Sequence, residues 1–321
     1  MQSPLWKPSP ERLKAEALTS FSEYAAAHYG CPTNADYAVL HQWSIDYPEA
    51  FWSAVWDFCA VVASQRGEAV LDDAELFPGA RWFGEARLNF AQNLLRHEGS
   101  DTAIIGLLEE GEPRYISHDE LRREVATVAA ALRELGVGVG DRVAGFMPNI
   151  AQTVVAMLAT TSLGAIWSSC SPDFGFNGVL DRFGQIAPRV LFSADGYIYN
   201  GKRCDSLERL AQLSESIESL EAVFVVPLLS ATPDISAVRR GRLFPDAQAA
   251  EPPALSFAQL PFDHPAFIMY SSGTTGVPKC IVHSAGGTLL QHLKEHRLQV
   301  GLCPGDVFFY FTTCGWMMWN W

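Results

Sequence analysis

Apolar and polar positions fall into two patterns that meet near Asp101. Ahead of it the apolar residues are largely aromatic and follow helical spacing. Trp52, Val55, Trp56 and Cys59 form an i, i+3, i+4, i+7 stripe, and Asp46, Pro48 and Glu49 just before it predict a helix start. A Trp-lined stripe of this kind is a packing face. Residues 77–83 read as a loop and 88–95 as a short amphipathic helix. Beyond Asp101, short β-branched runs alternate with longer amphipathic stretches. The pattern predicts strands at 102–107, 142–146, 190–193 and 222–227 and helices at 117–135, 151–163, 177–186 and 206–220. Ser117 and Glu120 have the spacing of a capping box, and Gly136 closes that helix. Strands alternating with helices imply parallel βαβ units. Residues 228–262, rich in proline and mixed polar residues, read as a surface excursion.

Composition narrows the class. With 321 residues, 48% hydrophobic and 18% charged, the chain has material for about two packed domains and is not intrinsically disordered. Lys and Arg number 23 against 36 Asp and Glu, a net charge of −13, which disfavours nucleic acid or an anionic membrane as partner. Seven cysteines, an odd number without a C-x-x-C pair, argue against a disulfide framework or a zinc ribbon and for a reducing compartment. Prolines at 4, 8 and 10 without an apolar run read as no signal peptide. The longest uncharged stretch, 143–172, reads as a buried strand–helix–strand, since a bilayer span needs about 20 apolar residues. A soluble, cytoplasmic protein is expected.

One segment stands out chemically. An apolar strand at 266–270 runs into Ser271-Ser272-Gly273-Thr274-Thr275-Gly276-Val277-Pro278-Lys279, and a second apolar run, 280–283, follows. The glycines let backbone approach an oxyanion, while hydroxyls, loop N–H groups and Lys279 supply donors and positive charge. The spacing is not that of a Walker A loop, because Lys279 falls three residues after Gly276 and precedes Cys280. The plain alternative is a Ser/Thr/Gly turn joining two strands; the composition favours phosphate. His292 and His296 stand at i, i+4 without the Glu of a zinc motif and read as surface helix residues, so no metal ligand is assigned.

Tyr270 to Lys279 (YSSGTTGVPK) resembles the phosphate-binding loop of the adenylate-forming enzymes. Residues 37–95 resemble the N-terminal cap of that family's acetyl-CoA synthetase branch. The runs 283–287 and 311–321 resemble its acetoacetate-activating branch. The resemblance implies an α/β fold: the parallel, helix-flanked sheets of the large domain, incomplete at 96–321, after a tail at 1–36 and a mainly helical cap at 37–95. It implies an acid–thiol ligase that uses ATP with Mg²⁺ to convert acetoacetate to its adenylate and then passes the acyl group to coenzyme A. Ser271, Ser272, Gly273, Thr274, Thr275, Gly276 and Lys279 would hold ATP phosphates, with Lys279 and Thr274 in the catalytic roles. Trp316, Met317 and Met318 would line the acyl pocket, the plain alternative being a Met/Trp stripe in a core helix. Lys202, Arg203 and Ser171 would meet coenzyme A, although an adjacent Lys–Arg pair also suits a solvated surface. A donor for a substrate keto oxygen is expected in the acyl pocket and is not assigned. Family members run to about twice this length, so the chain is expected to be an N-terminal portion unable to complete the reaction alone. An acetyl- or propionyl-activating enzyme and a non-catalytic nucleotide-binding remnant are the alternatives.

Overall fold

A computed structural model describes residues 5–34, 36–247, 251–271 and 276–321. Along the chain the first elements are α1 (Pro10–Ala15), α2 (Ala17–His28), α3 (Tyr37–Asp46), α4 (Pro48–Phe58) and four very short strands: β1 (Ala63–Gln65), β2 (Leu71–Asp72), β3 (Arg81–Trp82) and β4 (Arg87–Leu88). Then come α5 (Phe90–Leu94), β5 (Thr102–Gly106), β6 (Arg114–Ser117), α6 (His118–Glu134), β7 (Arg142–Phe146), α7 (Ala151–Ser162), β8 (Ile166–Cys170), α8 (Phe176–Ile186) and β9 (Val190–Ala194). The rest comprises β10 (Gly196–Tyr199), β11 (Lys202–Asp205), α9 (Leu207–Ser216), β12 (Ala222–Val226), β13 (Gly241–Leu243), β14 (Leu260–Pro261), β15 (Pro265–Ser271), β16 (Lys279–Ser284) and α10 (Ala285–Leu293). A π-helical turn at Lys294–Gln299 and a 3₁₀ turn at Met317–Asn320 follow. No helix among the described residues is long and apolar enough to cross a membrane.

Two compact units form. One gathers the residues up to Arg87 with Pro261–Asp263 and Gly286–Tyr310. Its core is aromatic: Phe21 meets Phe51 and Phe58 edge-on at 5.9 and 5.5 Å, and Trp56 packs on Phe83 at 4.8 Å. Val55, Trp56 and Cys59 are buried as the stripe requires. Trp52, at its start, instead borders a cavity shared with Trp82, Phe83 and Phe262. The two histidines expected on the surface are half-buried. Their rings stand 6.2 Å apart, and His296 turns its edge toward Phe308 at 6.1 Å, so aromatic packing draws them inward.

The second unit holds Leu88–Leu260, His264–Ala285 and Phe311–Trp321. Its seven-stranded sheet has the order β13-β12-β9-β7-β8-β15-β16, with every pair parallel except β15–β16. The chain runs β7–α7–β8, crosses back over β7 through α8 to β9, and continues outward to β12. Buried Phe146, Cys170, Leu191, Val223 and Val225 of the sheet pack with Val179 and Phe183 of α8 and Leu210 and Leu213 of α9. Helix α6 starts where its sequence says it should. Ser117 Oγ accepts from the Glu120 N–H at 3.2 Å, and the Glu120 carboxylate accepts from the Ser117 N–H at 2.8 Å. The stretch 228–262 is not all surface. Val238 and Leu260 are buried, and Gly241–Leu243 joins the sheet as a parallel edge. Apolar side chains scattered among its polar ones anchor it.

Asn89 ties this unit together and carries a prediction. It is fully buried, its carboxamide donates to Thr161 O, Ser162 O and Ala258 O at 3.0, 3.1 and 2.9 Å, and its Oδ1 caps α5 by accepting from Gln92 N at 3.1 Å. Asn89→Ala removes a helix cap worth about 1 kcal/mol and strands carbonyls at a further cost of about 1–3 kcal/mol. A loss of about 3 kcal/mol in the free energy of urea unfolding is expected; a change below about 1 kcal/mol contradicts this account.

Candidate active site

The parallel strands all point their carboxyl ends to one edge of the sheet, since Phe146 lies level with Cys170 and Ser193, and Val226 with Ala194. In open α/β sheets ligands bind at that edge. The loop after β15, the turn after β8 and the hairpin after β9 all leave from it, and the 314–320 segment packs against the end of β8. Four groups separated in sequence are thus brought to one edge.

The glycine–hydroxyl loop joins β15 to β16 as an antiparallel hairpin, with Ser271 opposite Lys279 and Tyr270 opposite Cys280. The two readings of this segment therefore coincide: it is a turn between strands, and its composition remains that of a phosphate cradle. Ser272, Gly273, Thr274 and Thr275 lie outside the described residues. Ser271 is half-buried, Lys279 is exposed, and Gly276 takes φ +106° with open space where a Cβ would stand. Helix α8 holds both limbs. The Arg182 guanidinium lies 5.8 Å over the Tyr270 ring, and Gln185 Nε2 donates to Pro278 O at 2.9 Å. Neither residue carried a signal in the sequence, because an Arg and a Gln on an amphipathic helix are ordinary surface residues until the fold sets a loop beside them.

Ser168 Oγ donates to Ile268 O at 2.8 Å and lies 3.0 Å from the Tyr270 hydroxyl, so the phenol supplies the proton between them. Burial pushes the Tyr270 phenol well above its ordinary pKa. Ser169 Oγ donates to Cys314 O at 2.6 Å and fastens the 314–320 segment to β8. Trp319 Nε1 donates to Asn149 Oδ1 at 2.9 Å and fastens its far end. Gly315 fits because a Cβ there would stand 2.8 Å from Ser171 N.

Between β8, β15 and this segment lies a small pocket bordered by Trp167, Tyr270, Trp316, Met317 and Asn320, with about 10 Å³ of free space, room for one water. Trp316 and Met317 are thus placed together, whereas Met318 does not border it. Trp316 is 66% exposed and both methionines 38%, so they form an outer wall in a 3₁₀ turn and not a core-helix stripe.

Lys202 and Arg203 lie on β11, whose pairing with β10 turns through Asn200 and Gly201 at φ +50° and +70°. The turn amides of both residues donate to the Glu109 carboxylate at 2.7 and 2.8 Å, and Arg203 meets Glu110 at 3.4 Å. Lys202 is exposed. Asp195, at the foot of the hairpin, accepts from the amides of Leu228, Leu229 and Ser230 at 2.8–2.9 Å and is committed to holding that loop. Ser171 is buried with its hydroxyl on Asp173, and Arg209 donates to Pro172 O and Phe174 O at 2.9 and 3.1 Å. Ser171 is therefore part of a fixed turn, while the two cations stand on a solvent-facing hairpin.

None of the seven cysteines forms a disulfide, and burial pushes the Cys170 thiol up to about 12 and raises that of Cys314 as well. These two are poor thiolate nucleophiles. Among the described residues no three His, Cys, Asp or Glu side chains group to hold a metal ion.

The profile of the AMP-binding enzyme family matches residues 90–320. The chain belongs to the AMP-binding enzyme family. The profile described as the acetyl-coenzyme A synthetase N-terminus matches residues 37–94. Among curated AMP-binding relatives, the acetoacetyl-coenzyme A synthetase of Rhizobium meliloti (strain 1021) is 49% identical over 322 residues, covering 100% of this chain and 49% of its own length. The malonamoyl-CoA synthetase of Penicillium aethiopicum is 41% identical, covering 99% of this chain and 45% of its own. The solved structure of acetoacetyl-CoA synthetase from Streptomyces lividans aligns with a TM-score of 0.93 at 45% identity, over 99% of this chain and 49% of that one. This AMP-binding chain spans about half the length of the relatives it matches. The expected fold is borne out: a mainly parallel, helix-flanked sheet with a helical N-terminal region.

Proposed function

We propose that the polypeptide carrying this sequence is an acid–thiol ligase: it activates a short β-carbonyl acid, foremost acetoacetate, as its adenylate at the expense of ATP and transfers the acyl group to coenzyme A. The observation that carries the reading is the glycine–hydroxyl loop at the carboxyl edge of the sheet, braced by α8 and beside the Trp316–Met317 pocket. The relatives add the substrate class. Acetoacetyl and malonamoyl groups, which these relatives are named for, share a carbonyl on the carbon next but one to the carboxyl.

In this reading the loop residues Ser271 to Thr275, Gly276 and Lys279 hold the β- and γ-phosphates by hydroxyl, amide and ammonium donors, with Thr274 and Lys279 nearest the reacting phosphoryl group. The carboxylate attacks the α-phosphorus in line and pyrophosphate leaves, so the chain's part is to position and to oppose charge. Trp316, Met317 and Met318 wall the acyl group, and Met317 yields to admit it. The thiol of the second step comes with coenzyme A, which suits a site whose buried cysteines stay protonated. Lys202 and Arg203 with the Ser171 turn are its contact residues. Its phosphate would compete with Glu109 and Glu110 for the hairpin. The described residues offer no cage for magnesium, which would arrive on the triphosphate, and no step here runs through it.

The test is carboxylate-dependent ATP–pyrophosphate exchange by the longest natural polypeptide carrying this sequence, with acetoacetate and acetate compared. Exchange with acetoacetate above acetate is expected. Preference for acetate discards the substrate class and keeps the ligase, and exchange with neither discards the ligase.

A further inference from the structure

Gln185 stands on the last turn of α8 and is exposed, yet its carboxamide is engaged at both ends. Nε2 donates to Asp181 O, one turn back, at 2.5 Å and to Pro278 O at 2.9 Å, and Oε1 lies 3.8 Å from the Cys280 thiol. An exposed glutamine ordinarily keeps its rotamer freedom; this one gives it up to join two segments far apart in sequence. Arg182, three residues earlier and so on the same face of the helix, lies 5.8 Å over the Tyr270 ring. One face of α8 thus meets both limbs of the hairpin.

The two limbs are held unequally. β15 lies inside the sheet, laddered to β8 through Phe267 and Ile268, and the Tyr270 hydroxyl reaches Ser168. β16 is the outermost strand, with β15 as its ladder partner, and Lys279 opens it. The peptide unit is planar, so Pro278 O and the Lys279 N–H belong to one rigid plane. The proline ring restricts φ on the near side of that plane, and the pairing of Lys279 with Ser271 restrains the far side. A donor on Pro278 O therefore sets the tilt from which the Lys279 side chain departs. Stability alone gives little reason for this contact, because water can meet a half-buried carbonyl and an intramolecular hydrogen bond contributes little net. What a donor on a helix adds, and water does not, is a fixed direction.

We propose that Gln185 is a positioning residue: by holding Pro278 O it directs the Lys279 ammonium toward the phosphates of ATP, and it acts on the reaction only through Lys279. The proposal rests on the ligase reading above and on the part of Lys279 in it. Its signature is coupling, since a tether that works through Lys279 has nothing left to do once the ammonium is gone.

The test is a double-variant cycle in the longest natural polypeptide carrying this sequence, read as acetoacetate-dependent exchange of labelled pyrophosphate into ATP. Gln185→Met keeps the length of the side chain and removes the donor. Alone it is expected to lower kcat/KM for ATP about 10-fold with the urea midpoint unchanged, and in a Lys279→Ala background to change it less than about twofold. No fall in the native background, an equal fall in both, or a fall that comes with a lower urea midpoint overturns the proposal. Exchange by Lys279→Ala at the wild-type rate overturns it too. If Lys279→Ala exchanges too slowly to measure, the protection that ATP gives Lys279 against amine acetylation decides, read by mass spectrometry. That protection is expected to weaken in Gln185→Met, and full protection overturns the proposal. A wild-type protein that exchanges with no acid overturns the ligase reading itself, whereas one that exchanges and ignores Gln185→Met overturns this assignment alone.

Discussion

Lys279→Ala is expected to lower carboxylate-dependent ATP–pyrophosphate exchange by about 100-fold while leaving the urea midpoint unchanged. Lys279 is exposed and opens β16, directly across the ladder from Ser271, so its side chain does not support the core. In a chain of net charge −13, a triphosphate would need local positive donors of this kind. A charge-assisted contact to a phosphate that carries more charge as pyrophosphate departs contributes chiefly in the transition state. Lys279→Arg keeps the charge on a planar fork and should retain more exchange than alanine does. Exchange by Lys279→Ala within about twofold of wild type would remove Lys279 from the chemistry and leave it a surface residue of an edge strand.

Gly145→Val is expected to cost at least about 3 kcal/mol of stability. Gly145 sits in β7 between β8 and β9, paired with Ser169 on one side and Phe192 on the other. A Cβ there would lie 2.6 Å from Trp167 Cη2 and 2.7 Å from its Cζ2, with Met147 Cγ at 3.4 Å. The ring cannot retreat, because Trp167 is wholly enclosed, and the strand cannot shift without losing ladders on both sides. A double variant tests the cause. In a Trp167→Leu background, Gly145→Ala should cost markedly less than in the native one, since the atoms it strikes are gone. Equal costs in the two backgrounds would mean that the glycine is kept for some other reason.

Much of the second unit was legible because its elements are long and their signals local. The strand at Arg142–Phe146 and the capped helix after Ser117 are encoded within a few residues of themselves, and both lie where the pattern puts them. The strands between Ala63 and Leu88 were not legible, since two or three residues cannot display a period of two. β13 escaped for the same reason, amid prolines that suggested a loop. The β10–β11 hairpin did carry a signal: Asn200-Gly201 is the dipeptide that most favours such a turn. The glycine–hydroxyl segment stands out in the sequence because its residue types are rare together, and the fold sets its two limbs at the carboxyl edge of the sheet. Its braces, Arg182 and Gln185, do not stand out, because bracing is a relation between distant segments.

The antiparallel pairing of β15 with β16 has a consequence for how the protein assembles. Every other pair in the seven-stranded sheet joins segments separated by a crossover, and such contacts form slowly because a long loop must close first. The two limbs of the glycine–hydroxyl loop instead close on each other across a handful of residues, on the microsecond scale of an isolated hairpin. The β15–β16 hairpin can therefore pair locally and be docked onto β8 and α8 as a unit, so that late errors in the parallel sheet leave its internal register intact.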